Sequence, residues 1–201
     1  MQTIVLASAN PGKLMEFREL LHGSGFEVKA QSEFNVPSVD ETGLTFVENA
    51  ILKARQACEV TGLPSIADDS GIEVDALRGE PGIYSARFAG ENASDDDNND
   101  KLLTLLGHVP TEQRSARYQC VLVFMQHAND PTPVICQAAW EGRILNARSG
   151  DGGFGYDPIF FIPGKNCTAA QLDKAEKNRI SHRGRAMQML LQALHPNVKL
   201  A

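Results

Sequence analysis

The chain opens on Ile4-Val5-Leu6-Ala7, four apolar residues in succession, and passes at once into Ser8-Ala9-Asn10-Pro11-Gly12-Lys13. A strand with one face in water alternates apolar and polar residues, so an unbroken apolar run points to a strand covered on both faces. A helix must follow almost immediately. Leu14, Phe17 and Leu21 recur at helical spacing, Asn10 can cap, Pro11 suits the first helical position, and Gly23 or Gly25 can close the end. Strand, tight turn and helix in this order commit the chain to an α/β architecture.

The rest of the sequence extends that pattern. Phe26, Val28 and Ala30 alternate as a second strand, and a polar loop from about residue 32 to 43 carries Asp40 and Glu41. Thr45 and Glu48 have capping-box spacing ahead of Phe46, Val47, Ile51, Leu52 and Ala54. Gly62-Leu63-Pro64 stops this helix, on which Asn49 and Lys53 share one face. Ser65-Ile66-Ala67 reads as a short strand ending in Asp68-Asp69-Ser70-Gly71, which puts two carboxylates at a strand-to-turn junction before Ile72, Val74 and Leu77. Ser94 can cap a helix whose first turn holds Asp95, Asp96 and Asp97. Negative charge is favourable there, so the acidic run needs no ligand to explain it. Val121-Leu122-Val123-Phe124 and Val134-Ile135-Cys136 flank Asn129-Asp130-Pro131-Thr132 as a hairpin, which makes the sheet mixed. The most glycine-dense segment, Gly150 to Pro158, leads into Ile159-Phe160-Phe161-Ile162. Thr168 and Ser181 are placed to cap two C-terminal helices, the second packing through Ala186, Met189, Leu190 and Leu194.

A chain of 201 residues with 42% apolar and 22% charged residues can bury a substantial core as one domain over residues 1–201, or as two small lobes sharing a sheet. The formal charge of −6 argues against a non-specific nucleic-acid binder, which needs a basic face. It leaves room for a small anion held by a local cluster of Lys and Arg. Cys58, Cys120, Cys136 and Cys167 form no CxxC pair and are expected as reduced, buried thiols. Met1-Gln2-Thr3-Ile4 lacks a basic segment ahead of a long apolar run, and no stretch approaches the roughly 18 apolar residues of a membrane span. The expected location is the cytoplasm.

Four constellations carry chemistry. Ser8 to Lys13 places a helix N-terminus, with its free N–H groups and partial positive charge, beside a lysine, which suits phosphate. It is not a Walker A loop, because Leu14 stands where the Ser or Thr after the lysine belongs. Glu41, Asp68 and Asp69 are hard oxygen donors suited to Mg²⁺, which takes one or two carboxylates and leaves its other positions to water and phosphate; a carboxylate off the metal can accept a proton from water. Ser181-His182-Arg183, after Lys177, puts a cation into a first helical turn, against the dipole, so Arg183 needs a compensating partner: a phosphate, a base carbonyl or a carboxylate. Phe154-Gly155-Tyr156-Asp157-Pro158 combines close backbone approach, aromatic surface and an acceptor for a ring N–H. Taken singly, each also reads as ordinary capping, solvated charge or turn chemistry. Ser70 lies in Asp-Ser-Gly and not in a G-x-S-x-G elbow, and no histidine pair has zinc spacing. His22, His108, His127 and His195 read as surface or helix-end residues.

Taken together and in order, these segments resemble one family, the inosine triphosphate pyrophosphatases, which clear dITP, ITP and XTP from the nucleotide pool. The resemblance rests on Ser8 to Lys13, Glu41-Thr42-Gly43-Leu44-Thr45-Phe46 with Glu48-Asn49-Ala50 and Lys53-Ala54, Ala67 to Gly71, Pro81 to Arg87, Gly152 to Phe160, and Ser181 to Gly184, and so spans about the whole chain. It implies an elongated mixed sheet flanked by helices, two lobes around a substrate cleft, and a homodimer. It further implies that Ser8, Ala9, Asn10, Pro11, Gly12 and Lys13 hold substrate phosphate, with Lys53 and Ser70 in contact with it. By the same resemblance Asp69 serves catalysis and Mg²⁺, Glu41 is a second metal ligand, and Phe154, Gly155, Tyr156, Asp157, Lys177, His182 and Arg183 surround the nucleoside. Ser8 stands where Thr is frequent in the family, and its hydroxyl persists.

In such a site an ordered water attacks the α-phosphorus, Lys13 and Lys53 balance charge on the departing pyrophosphate, and Asp69 or Asp68 takes the proton. Hypoxanthine and xanthine carry a carbonyl where adenine has an amine, so donors such as Arg183 or His182 favour them. Guanine shares that carbonyl, and its exclusion depends on what meets the 2-amino group. The competing readings are a related pyrophosphatase for other modified nucleotides and a nucleotide sensor that keeps the pocket without catalysis.

Overall fold

The computed structural model describes residues 2–194, so His195 lies outside the described residues. Seven strands form one sheet in the order β2-β1-β3-β4-β5-β6-β7: β1 (Gln2–Leu6), β2 (Phe26–Ala30), β3 (Ser65–Val74), β4 (Ser115–Met125), β5 (Val134–Ile144), β6 (Phe160–Ile162) and β7 (Cys167–Thr168). β1 pairs in parallel with β2, Ile4 opposite Val28, and with β3, Leu6 opposite Ile66. β6 pairs antiparallel with both β5 and β7. The sheet is mixed, as expected, and it is open. Among the described residues five α-helices accompany it: α1 (Pro11–Leu20), α2 (Phe46–Thr61), α3 (Asp95–Leu105), α4 (Lys174–Ile180) and α5 (His182–Leu194).

The described residues divide into two compact units, one of residues 2–69, 120–138 and 183–194, the other of 70–119 and 139–182. In the first unit the apolar run of β1 is explained by two cores. Ile4 and Leu6 join Phe17 of α1, Leu21 at its end, and Ala186, Met187 and Leu190 of α5, whereas Val5 and Ala7 join Ala50, Ala54 and Ala57 of α2. Successive strand side chains point to opposite faces, so a strand flanked by helices on both sides has no place for a polar residue. The second unit has a single core of Ile72, Val74, Tyr118, Trp140, Ile144, Phe160, Leu102 of α3 and Leu106 just after it. Here β4 does alternate, with Arg117 and Gln119 between buried Ala116, Tyr118 and Cys120; Arg117 is paired with Asp75 and Glu141.

The caps follow the sequence with informative exceptions. The side chain of Asn10 accepts from the Lys13 amide and that of Thr45 from the Glu48 amide, and Gly62 ends α2 in the left-handed region at φ 67°. Thr168 precedes only a 3₁₀ turn, Ala169–Gln171, and α4 is capped by Asp173. Ser181 lies between α4 and α5. The larger correction concerns Asp68 and Asp69, which are not at a turn: β3 runs unbroken from Ser65 through both to Val74. Buried carboxylates are tolerated in a strand when each meets a cation, and both do: Asp68 pairs with Lys13 and Arg183, and Asp69 with Lys53.

Candidate active site

In the first unit, β1 ends at Leu6 and α1 begins at Pro11, and this short connection sets Lys13 beside β3. Ser8 accepts from the Asn10 amide at 3.2 Å and Asn10 from the Lys13 amide at 3.1 Å, so the connection is stiffened by its own side chains. Lys13 Nζ donates to the Asp68 carboxylate and, at 3.3 Å, to the Asp68 carbonyl. Lys53 Nζ, from α2, reaches the same carbonyl at 3.0 Å, Asp69 Oδ1 at 2.5 Å and Glu41 Oε1 at 2.9 Å. Arg183, in the first turn of α5, donates through Nε to Asp68 Oδ2 at 2.7 Å and through Nη1 to Glu16 Oε2 at 2.5 Å. Glu41, Lys53, Asp69, Lys13, Asp68, Arg183 and Glu16 therefore form one connected charge network.

The two aspartates differ in kind. Asp68 is 1% exposed, and both its oxygens are engaged by Arg183 and Lys13, with the Cys120 thiol 3.4 Å from Oδ2. Burial works against its ionisation, but the charges of Arg183 and Lys13 outweigh it and hold the carboxyl well below the usual carboxylate range. Asp69 is 7% exposed, and its Oδ2 has no hydrogen-bond partner among the described residues. Burial lifts its pKa, the adjacent Lys53 offsets this only in part, and Glu41 adds to it. Lys53 itself is pushed down by burial but raised on balance by Asp69 and Glu41, so it stays an ammonium.

The loop that carries Glu41 is fastened to α2. Asn49, fully buried, accepts from the Gly43 amide at 2.8 Å, and Glu48 accepts from the Leu44 amide at 3.0 Å. A Cβ on Gly43 would stand 2.5 Å from Glu48 Cβ and 2.7 Å from Asn49 Oδ1, so only glycine fits. Among the described residues no group of three or more His, Cys, Asp and Glu gathers as a metal cage. Two carboxylates around one cation, one with a buried oxygen lacking a partner, do fit an ion such as Mg²⁺ that completes its shell with phosphate and water.

The residues expected around the nucleoside fall in the second unit, except Arg183. Phe154 is half-buried at the glycine-rich turn, with Lys177 Nζ 4.9 Å from its ring centroid. Asp157 is buried and accepts from Lys177 Nζ at 2.6 Å, the Phe154 amide at 3.0 Å and the Tyr118 hydroxyl at 3.3 Å, which occupies most of its acceptor capacity. Tyr156 is buried: its ring belongs to the core and its hydroxyl donates to the Ser85 carbonyl at 2.8 Å. His182 is buried with its ring stacked on Tyr118, centroids 4.6 Å apart and planes 5° apart. Ser70 follows Asp69 on β3 and is half-buried. Of the partners open to Arg183, the structure supplies carboxylates, Asp68 and Glu16, as a buried guanidinium requires. Sequence reading missed Glu16, Cys120 and Tyr118. The alternation of Ala116, Tyr118 and Cys120 along β4 was the available signal for the last two.

The Ham1 family model matches residues 4–193. The dITP/XTP pyrophosphatase of Vibrio cholerae is 60% identical over 194 residues, which is 96% of this chain and 97% of that protein. That of Pectobacterium atrosepticum is 58% identical over the same share of this chain and 98% of its own. Among solved structures, a HAM1 protein from Coxiella burnetii superposes with a TM-score of 0.90 at 49% identity, covering 98% of this chain and all of that one, and the Staphylococcus aureus Ham1 protein does so with 0.86 at 43%, again over 98% and 100%. With nearly the full length matched in sequence and in fold, the chain belongs to the Ham1 family.

Proposed function

We propose that this protein hydrolyses deaminated purine nucleoside triphosphates, dITP, XTP and ITP, to the monophosphate and pyrophosphate, with Mg²⁺ as cofactor. The dITP/XTP pyrophosphatases to which it is similar support the reaction class. The observation that carries the mechanism is the asymmetry of Asp68 and Asp69 in one charge network. A general base needs an oxygen that is not already committed and a pKa lifted toward the working pH. Asp69 has both, whereas Asp68 has neither.

In this reading Glu41 and one oxygen of Asp69 would hold Mg²⁺, which would supply neutralisation of the triphosphate charge. The oxygen of Asp69 not given to the metal accepts the proton of the attacking water. As the new bond to the α-phosphorus forms, the bond from that phosphorus to the bridging oxygen breaks, and the electron pair leaves with pyrophosphate. Lys13 and Lys53 stabilise the negative charge that develops there, each already held beside β3. Asp68 is a positioning residue that fixes Lys13 and Arg183. Base recognition falls to the second unit, where Phe154 offers ring surface and Lys177 a donor near it. The family resemblance also supports a homodimer, which light scattering tests, and the N-terminal sequence supports a cytoplasmic location.

The deciding experiment is a product assay on dITP, ITP, XTP, dGTP and dTTP with and without Mg²⁺, for the wild type and Asp69→Asn. The expected result is pyrophosphate as first product from the deaminated purines, Mg²⁺ dependence, and loss of most turnover in Asp69→Asn at unchanged circular dichroism. Orthophosphate as the first product would reject cleavage between the α and β phosphates. Unchanged behaviour of Asp69→Asn would favour the nucleotide sensor.

A further inference from the structure

The acidic first turn of α3 is accounted for in the sequence by the helix dipole alone, yet two of its residues do something more specific. The Gly155 amide donates to Asp95 Oδ2 at 2.6 Å, and the Gly155 carbonyl accepts from Asn99 Nδ2 at 2.9 Å. Both backbone hydrogen-bonding groups of one glycine are thus held by side chains four residues apart on the helix, which the helical repeat brings onto one face. Gly155 needs such a clasp. It sits at φ 63° and Gly153 at 74°, and a Cβ on Gly153 would run into the Asp157 carboxylate, so the turn is made of residues with wide conformational freedom.

Phe154 lies between these two glycines, and its own amide is held by Asp157. The ring position is therefore set at two points, by Asp157 from within the turn and by α3 from outside it. Asn99 is 1% exposed and also donates to the Asp95 carbonyl at 2.7 Å, so the donor is itself fixed. Its Oδ1 is buried without a hydrogen-bond partner among the described residues, a cost that fold stability does not explain. Asp95, Asn99, Gly153, Phe154 and Gly155 line one hollow of this unit.

We infer that Asp95 and Asn99 are specificity-determining positioning residues: by clasping Gly155 they fix the Phe154 ring against the purine, and discrimination between hypoxanthine and guanine depends on that fixed placement. The inference rests on the proposed function, since it takes Phe154 to meet the base. It is separable from the chemistry, because neither residue belongs to the unit that holds Asp69 and Lys53.

The test compares kcat/KM for dITP and dGTP in the wild type, Asp95→Ala, Asp95→Asn and Asn99→Asp, with Asp100→Ala as a control on the same helix that pairs with Arg148 instead. Asp95 is exposed, so Asp95→Ala is expected to fold, whereas buried Asn99 carries more risk. Loss of one charge-assisted hydrogen bond predicts a fall of about tenfold in the dITP to dGTP ratio for Asp95→Ala, mostly through KM for dITP. Asp95→Asn keeps an acceptor for the Gly155 amide and should restore most of the ratio, while Asn99→Asp, which sets an oxygen against the Gly155 carbonyl, should lower it. A role confined to stability would lower the melting temperature and reduce both substrates in proportion. A wild type that discriminates, with an Asp95→Ala ratio within about twofold of it, overturns the inference and leaves the proposed function standing. A wild type that releases no pyrophosphate, or does not discriminate, overturns both.

Discussion

Replacing Asp68 by Asn tests whether this carboxylate is a structural counter-ion and not the base. The side chain keeps its shape and loses its charge, so Lys13 and Arg183 each lose the Asp68 carboxylate while the Arg183–Glu16 ion pair persists. In addition, wherever the new amide NH₂ turns it faces donors, since Arg183, Lys13 and the Cys120 thiol all point at this carboxylate. Breaking a buried pair costs about 3–5 kcal/mol, and the surviving Glu16 contact puts the expectation near the lower bound, about 3 kcal/mol. For a chain of this size that corresponds to a fall in Tm of roughly 6–12 °C. The pH dependence has a definite sign. The folded carboxyl lies well below its unfolded value of 3.8, so its contribution is fully present above about pH 4 and is lost as pH falls below 3.8 toward the folded pKa. Urea unfolding followed by Trp140 fluorescence should therefore give a wild-type to variant gap that is constant from about pH 8 to pH 5 and narrows only in stronger acid. A gap below about 1 kcal/mol at pH 7, or one that closes between pH 8 and 6, would refute the counter-ion role.

Asp69→Asn should behave in the opposite way, with kcat reduced by about 10²–10⁴-fold and stability little changed or improved, because burial already disfavours its charge. In the wild type the base must be ionised to act, so kcat/KM should rise with pH through an acid limb that Asp69→Asn lacks; a flat profile would sink the assignment. Gly43→Ala pushes a methyl into Glu48 and Asn49 and should cost about 1–3 kcal/mol while raising the Mg²⁺ concentration for half-maximal activity, because the Glu41 loop loses its seat. Calorimetric Mg²⁺ titration in the presence of product monophosphate gives a second readout, and unchanged affinity there would separate Gly43 from the Glu41 site.

The readable and unreadable parts of this protein divide along the range of the interactions. Asn10, Pro11, Thr45, Ser94 and Gly62 act on backbone groups within four residues, so their roles as caps follow from local chemistry alone, as does the doubly covered strand at Ile4 to Ala7. The family resemblance reached further, because it named Glu41, Lys53, Asp69 and Lys13 as one group before any fold was in view. Tertiary structure decided what each charge does. Asp68 and Asp69 are adjacent and chemically identical, and successive residues of a strand face opposite ways, so one meets Arg183 and Lys13 while the other keeps an oxygen without a partner. Arg183 finds carboxylates 115 and 167 residues away, Tyr156 enters a core, and Asp95 reaches Gly155 sixty residues on. A side chain's ionisation and its role depend on what stands within a few ångströms in space, and long-range chain folding alone sets those neighbours.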